Sequence, residues 1–202
     1  MTLTETEAPG ENPLVGLPDL AALADYDENL RQVAADPPAI EAAMASAQGR
    51  LERAETTGDR RAALALLGYL GNGFRILGRH AEAIAHHERA VALASTWGRP
   101  KAEAAAMIRL GEAHRNADNL NVAERILRTA LDRVRANRVD LGVYEDFALQ
   151  HLGKCLTDAG RAAEAIPCLE EALAQRRRKD DAELIASTEA ALRAARLAAD
   201  SA

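Results

Sequence analysis

Residues 70–93 read LGNGFRILGRHAEAIAHHERAVAL, and their pattern returns twice along the chain. Residues 110–134 read LGEAHRNADNLNVAERILRTALDRV, and residues 152–178 read LGKCLTDAGRAAEAIPCLEEALAQRRR. Each copy opens on Leu-Gly (Leu70-Gly71, Leu110-Gly111, Leu152-Gly153) and places an alanine 12 residues after the glycine (Ala83, Ala123, Ala165). The flanking apolar template also repeats. It comprises Leu67, Phe74, His87 and Ala90, then Met107, His114, Leu127 and Ala130, then Leu149, Leu156, Leu169 and Ala172. The period is 40 and then 42 residues. Loops fall at Leu77-Gly78-Arg79, Trp97-Gly98-Arg99, Ala117-Asp118-Asn119, Asn137-Arg138 and Ala159-Gly160-Arg161, where glycine or asparagine takes left-handed geometry readily. Alanine and leucine dominate and aromatics reach only 3%, a composition that favours helix because those side chains lose little entropy there.

These segments resemble tetratricopeptide repeats (TPRs), each a pair of antiparallel helices. The resemblance covers about residues 60–179. The units are longer than the usual TPR period of about 34 and are similar to the kinesin-light-chain type, most clearly in EAIPCLEEALAQRRR at 164–178. The resemblance implies an all-α, right-handed superhelical solenoid of about eight or nine helices, with repeats at 59–98, 99–138 and 139–179. Small residues (Gly71 with Ala83, Gly111 with Ala123, Gly153 with Ala165) are expected where paired helices approach most closely, with larger residues around them.

Outside the repeats, Pro37-Pro38 introduces a capping helix over 38–58 with apolar Ile40, Ala43, Met44, Ala47 and Leu51. Residues 180–202 form a second cap, started by Asp180 or Asp181, whose Leu184, Ile185, Ala191, Leu192 and Ala195 cover the open end of the third repeat. Within the acidic segment 1–37, residues 18–34 can form a helix through Leu20, Leu23, Leu30 and Val33, and residues 1–16 read as disordered. Pro167, well inside its helix, is expected to remove a hydrogen bond or kink it mildly.

Charge narrows the partner class. The chain carries a net −6, concentrated in residues 1–37, which hold eight acids and the single base Arg31. Neither that segment nor the near-neutral remainder has the basic field that nucleic acid requires. No apolar run approaches the ~20 residues of a membrane span, and the acidic start MTLTETEAPGENP lacks the features of a secretory signal. A cytoplasmic protein is expected. Arginine outnumbers lysine 22 to 3, which points to a GC-rich bacterial source. Cys155 and Cys168 form neither a metal-type spacing nor a disulfide framework. His86, His87 and His114 have metal-ligating side chains, but His87 and His114 occupy template positions of a large core side chain. Arg176-Arg177-Arg178-Lys179 ends a helix and complements its C-terminal dipole. No phosphate loop, nucleophile elbow or paired-carboxylate arrangement is present, so the expectation is a non-enzyme without cofactor or metal.

The resemblance implies that the first helix of each pair lines the concave side. By helical spacing, that face carries Tyr69, Asn72 and Arg75, then Arg109, Glu112, Arg115 and Asn116, then Phe147, Gln150, His151 and Lys154. Four fixed bases against Glu112 and Asp158 make the expected groove positive, suited to a peptide with acidic residues. The carboxylate clamp of chaperone-tail TPR adaptors is not reproduced, because Gly68 and Glu112 stand at two of its positions. The expected function is a scaffold or adaptor binding a polypeptide in this groove. The alternatives are a stand-alone peptide-sensing regulatory TPR protein or an accessory subunit of an enzyme complex. Homo-oligomers are compatible with this reading. The acidic N-terminal segment, opposite in sign to the groove, is either an occupant of it or a solubilising tail.

Overall fold

The structure, a computed structural model, describes residues 12–201. A short 3-10 turn (Leu20–Leu23) leads into a two-stranded antiparallel hairpin, β1 (Ala24–Tyr26) and β2 (Gln32–Ala34). The helices follow: α1 (Pro37–Thr57), α2 (Arg60–Ile76), α3 (His80–Thr96), α4 (Pro100–Asn116), α5 (Leu120–Ala136), the single turn α6 (Arg138–Leu141), α7 (Glu145–Asp158), α8 (Ala162–Lys179) and α9 (Ala182–Asp200). Consecutive long helices pack as antiparallel neighbours, and α2, α4, α7 and α9 also touch one another in series. The architecture is an all-α TPR solenoid.

Local chemistry sets the helix ends. Asp36, Asp59 and Asp181 accept hydrogen bonds from the backbone N–H of Ala39, Ala62 and Leu184, capping α1, α2 and α9. The α2–α3, α3–α4 and α7–α8 turns use Gly78, Gly98 and Gly160 at φ 73°, 67° and 71°, whereas Asp118 takes the equivalent place between α4 and α5 at φ 57°. α8 runs through Pro167 without interruption.

Packing inside each pair follows the repeat template. The glycine admits the large side chain of the partner helix: a Cβ at Gly71 would lie 2.5 Å from the His87 ring, and one at Gly111 or Gly153 the same distance from Leu127 or Leu169 Cγ. Ala83, Ala123 and Ala165 are fully buried beside these contacts. Two main apolar clusters result. One joins α1 to the first repeat, and the other joins the second and third repeats to α9.

The helix expected over 18–34 is not formed. Side chains outcompete a helical backbone there. Asp19 accepts from Ala21 N–H, and Asp27 Oδ1 accepts from both Asn29 and Arg31 N–H at 2.9 and 2.8 Å. Leu30 sits at φ 56°, closing the hairpin. The reading of 1–16 as disordered falls mainly on residues outside the described ones. Residues 12–16 form a turn whose Pro13 and Val15 carbonyls accept from Arg50 of α1. No helix among the described residues is long and apolar enough to cross a membrane.

Candidate polypeptide-binding groove

The face built by α2, α4 and α7 already carries polypeptide: residues 12–34 of the same chain lie across it. Tyr69 Oη donates to the Pro18 carbonyl at 2.9 Å, and Arg75 Nη2 donates to Gln32 Oε1 at 2.6 Å. At the hairpin tip, Arg115 Nη2 donates to the Asn29 carbonyl at 2.7 Å and Lys154 Nζ to the Leu30 carbonyl at 3.2 Å. Lys154 also lies 5.9 Å from the Tyr26 ring centroid. Leu30 packs against the apolar cluster of the second and third repeats. Arg31 Nη2 reaches Asp118 Oδ1 at 2.6 Å and Asp158 Oδ2 at 3.4 Å. Asp158 in turn accepts from Arg115 Nε at 2.8 Å.

Main-chain carbonyls, the Gln32 amide oxygen, the Leu30 and Tyr26 side chains and the Arg31 guanidinium make the contact. The acids of the segment make no ion pair with the groove bases among the described residues: Asp19 and Asp27 cap local turns and Asp36 caps α1 instead. This differs from the charge complementarity that the sequence suggested.

Beneath the hairpin, Glu112 lies 3.7 Å from Arg75 Nη1 and 3.8 Å from His151 Nδ1. Burial alone would raise the Glu112 carboxyl, but Arg75, His151, Lys154 and Arg115 more than offset it and hold it below the usual carboxylate range. Burial pushes His151 down to about 4 despite Glu112, so the ring is neutral at pH 7. Burial also lowers Lys154 to about 8, against the pull of Glu112.

The expected groove residues fall into three groups. Tyr69, Arg75, Arg115, Asn116 and Lys154 are buried, four of them bonded to the N-terminal segment or its ion pairs. Gln150 and Phe147 are not groove contacts as expected, because α9 and the end of α8 claim them. Gln150 Oε1 accepts from Arg176 and from Thr188 Oγ1, and the Phe147 ring lies 5.1 Å from the Arg176 guanidinium. Arg176 itself, 1% exposed, donates to Asp146 at 3.0 Å. It is thus a buried tether for α9 rather than only the dipole-complementing cation expected. The third group, Asn72, Arg109, Glu112 and His151, keeps some exposure. Asn72 and Arg109 line a cleft of about 340 Å³ between α2 and α4. His87, 0% exposed and pushed down to about 3 by burial, is a neutral core side chain.

Sequence reasoning missed Leu30, Arg31, Asp118 and the Arg50 anchor. The available signal was Arg31 itself, the single base in an acidic stretch.

Two tetratricopeptide-repeat family profiles match this chain, over residues 61–136 and 148–183. The chain is a tetratricopeptide-repeat protein. Solved structures with the same fold include a protein from Podosopora anserina named for a kinesin light chain with nearly identical TPR-like repeats. It has TM-score 0.62 at 17% identity, over 81% of this chain and 80% of that one. BtubC (BKLC) from P. vanneervenii gives TM-score 0.59 at 17% identity, over 82% of this chain and 76% of that one. At such identity the likeness is one of fold. No curated protein matches. As a TPR solenoid of kinesin-light-chain-like form, the chain is a protein–protein interaction scaffold in general terms.

Proposed function

We propose that this TPR protein is a non-catalytic adaptor that binds a polypeptide segment of another protein on the face formed by α2, α4 and α7. One observation carries the reading: that face engages residues 12–34 of its own chain through carbonyl-directed donors from Tyr69, Arg115 and Lys154. Carbonyls are common to all polypeptides, so a surface that satisfies them in cis suits them in trans. The part of the face outside the tip contacts adds Arg109, Asn72 and Tyr69 around the α2–α4 cleft. That end suits an acidic residue of the partner.

A partner competes with the tethered segment, which acts at an effective concentration of order millimolar. The test is an affinity capture from native cell extract with three full-length baits, each checked by circular dichroism. They are the wild type, Leu30→Ser/Arg31→Glu to weaken the tip, and Leu30→Ser/Arg31→Glu with Arg115→Gln/Lys154→Gln to remove the tip donors. A polypeptide enriched by the second bait over both others supports the reading. Equal recovery on all three removes binding from this face.

A further inference from the structure

The hairpin tip shows more than that a polypeptide fits. Carbonyl contacts from Arg115 and Lys154 are indifferent to sequence, yet two side chains of the tip enter places that discriminate. Leu30 is set against the apolar cluster of the second and third repeats. Next to it, Arg31 extends its guanidinium to Asp118 and Asp158, carboxylates from the ends of α4 and α7. The two acids differ in surroundings: the Asp158 side chain is 16% exposed and shared with Arg115, whereas that of Asp118 is 73% exposed and pairs with Arg31. A planar guanidinium can address two carboxylates at once, which an ammonium does less well.

Two further observations show that the tip is neither a perfect nor a complete occupant. Leu30 holds φ 56°, a left-handed conformation that a branched apolar residue adopts only under strain. Beside the tip, a cleft of about 340 Å³ remains between the hairpin and α9, floored by Ala191 and Ala194 and bordered by Thr157 and Asp158. The strain weakens the tethered tip, and the cleft gives a larger segment somewhere to go.

We infer that the partner of this face is a polypeptide presenting a tight turn in which an apolar residue is followed by arginine, replacing Leu30 and Arg31 between α4, α7 and α9. The inference rests on the polypeptide-binding reading above and adds the chemistry of the occupant. It separates this end of the groove, which takes a cation, from the α2–α4 end with Arg109. The partner's turn is held by Arg115 and Lys154 through its carbonyls, anchored by its apolar side chain, and selected by Asp118 and Asp158 through its arginine. Acidic residues at the arginine position are rejected by like-charge repulsion from both aspartates.

The probe is a fluorescein-labelled cyclic peptide of residues 24–34, closed through a D-Pro-Gly linker at the paired ends of β1 and β2. Its binding to the full-length Leu30→Ser/Arg31→Glu chain is followed by anisotropy. The expected result is saturable binding, weakened about threefold or more by Arg31→Lys in the peptide and at least about tenfold by Arg31→Glu or Leu30→Ala. Asp118→Asn in the protein should shrink the preference for arginine over Arg31→Gln, a non-additive pair in a double-mutant cycle. Asn tolerates the left-handed backbone of that position, which keeps the comparison interpretable. Binding that is equal for the arginine and glutamate peptides overturns the inference and leaves general polypeptide binding standing. Absence of binding by every peptide overturns it too. In that case the capture experiment decides whether the face binds polypeptide at all.

Discussion

Gly111→Ala and Gly49→Ala are the same chemical change, and the structure assigns them opposite signs. Both glycines lie inside helices, where alanine is favoured by about 1 kcal/mol. At Gly49 in α1, an added Cβ meets only the far end of Arg53 at 3.8 Å, so that gain is realised. At Gly111 in α4, the Cβ lands 2.5 Å from Leu127 Cγ and 2.7 Å from Cδ2, and Leu127 is fully buried with nowhere to retreat. Overpacking of this kind costs about 1–3 kcal/mol, and contact with a branch point rather than a flexible tip belongs at the upper end. The net expectation is a loss of about 2 kcal/mol at Gly111 and a gain of about 1 kcal/mol at Gly49. For a chain of this size each kcal/mol moves Tm by about 2–4 °C. Thermal melts followed by circular dichroism should then show Gly111→Ala lower by about 4–8 °C and Gly49→Ala higher by about 2–4 °C. Leu127→Ala should partly relieve Gly111→Ala, making the double variant less destabilised than the sum of its parts. A Gly111→Ala protein that melts at or above wild type would refute the packing reasoning for all three repeats.

Other perturbations test separate parts of the structure. Ala123→Leu should overpack the α4–α5 seam by about 1–3 kcal/mol, read as a lower urea midpoint. Arg176→Met leaves the fully buried Asp146 with Lys179 alone and strips a donor from Gln150 and Thr188. A loss of about 3 kcal/mol is expected, with proteolysis beginning at α9. Burial lowers His87 and His151 to about 3 and about 4, below the ordinary imidazole value of about 6.5. Between those values the unfolded chain binds protons that the folded chain does not, so stability should fall as pH drops from about 6.5 toward 4. His87→Leu, which installs the residue of the other two repeats, should raise stability and flatten that slope. An unchanged slope would mean that His87 does not stay neutral in the folded chain.

The repeats were legible because each rests on a local rule written three times. Leu-Gly and an alanine 12 residues on are the residues that a close helix crossing requires, and Leu127 and Leu169 seat where the template placed them. The face built by α2, α4 and α7 was legible as a list of residues but not as a surface. Helical spacing groups Arg75, Arg115 and Lys154 on one side, yet nothing local says that residues 12–34 return to cover them. Those contacts span intervals such as the 124 residues between Leu30 and Lys154. Leu20, Leu23, Leu30 and Val33 have spacing compatible with a helix, but the Asp19 and Asp27 side chains bond the backbone in turns instead. Leu30 then reaches a cluster that only tertiary structure assembles. Helical spacing alone places Phe147 and Gln150 on the groove face; it carries no sign of the polar network that Arg176, Thr188 and Gln150 build under α9.

The most direct test of the central claim is calorimetric titration of a peptide of residues 12–36 into the full-length chain carrying Leu30→Ser/Arg31→Glu. Saturable one-to-one binding is predicted, weakened when Arg115→Gln and Lys154→Gln are added and much weaker in the wild type, whose own segment competes. A folded tip-disabled chain that takes up no peptide, or takes it up equally well without Arg115 and Lys154, would contradict the assignment of this face to polypeptide binding.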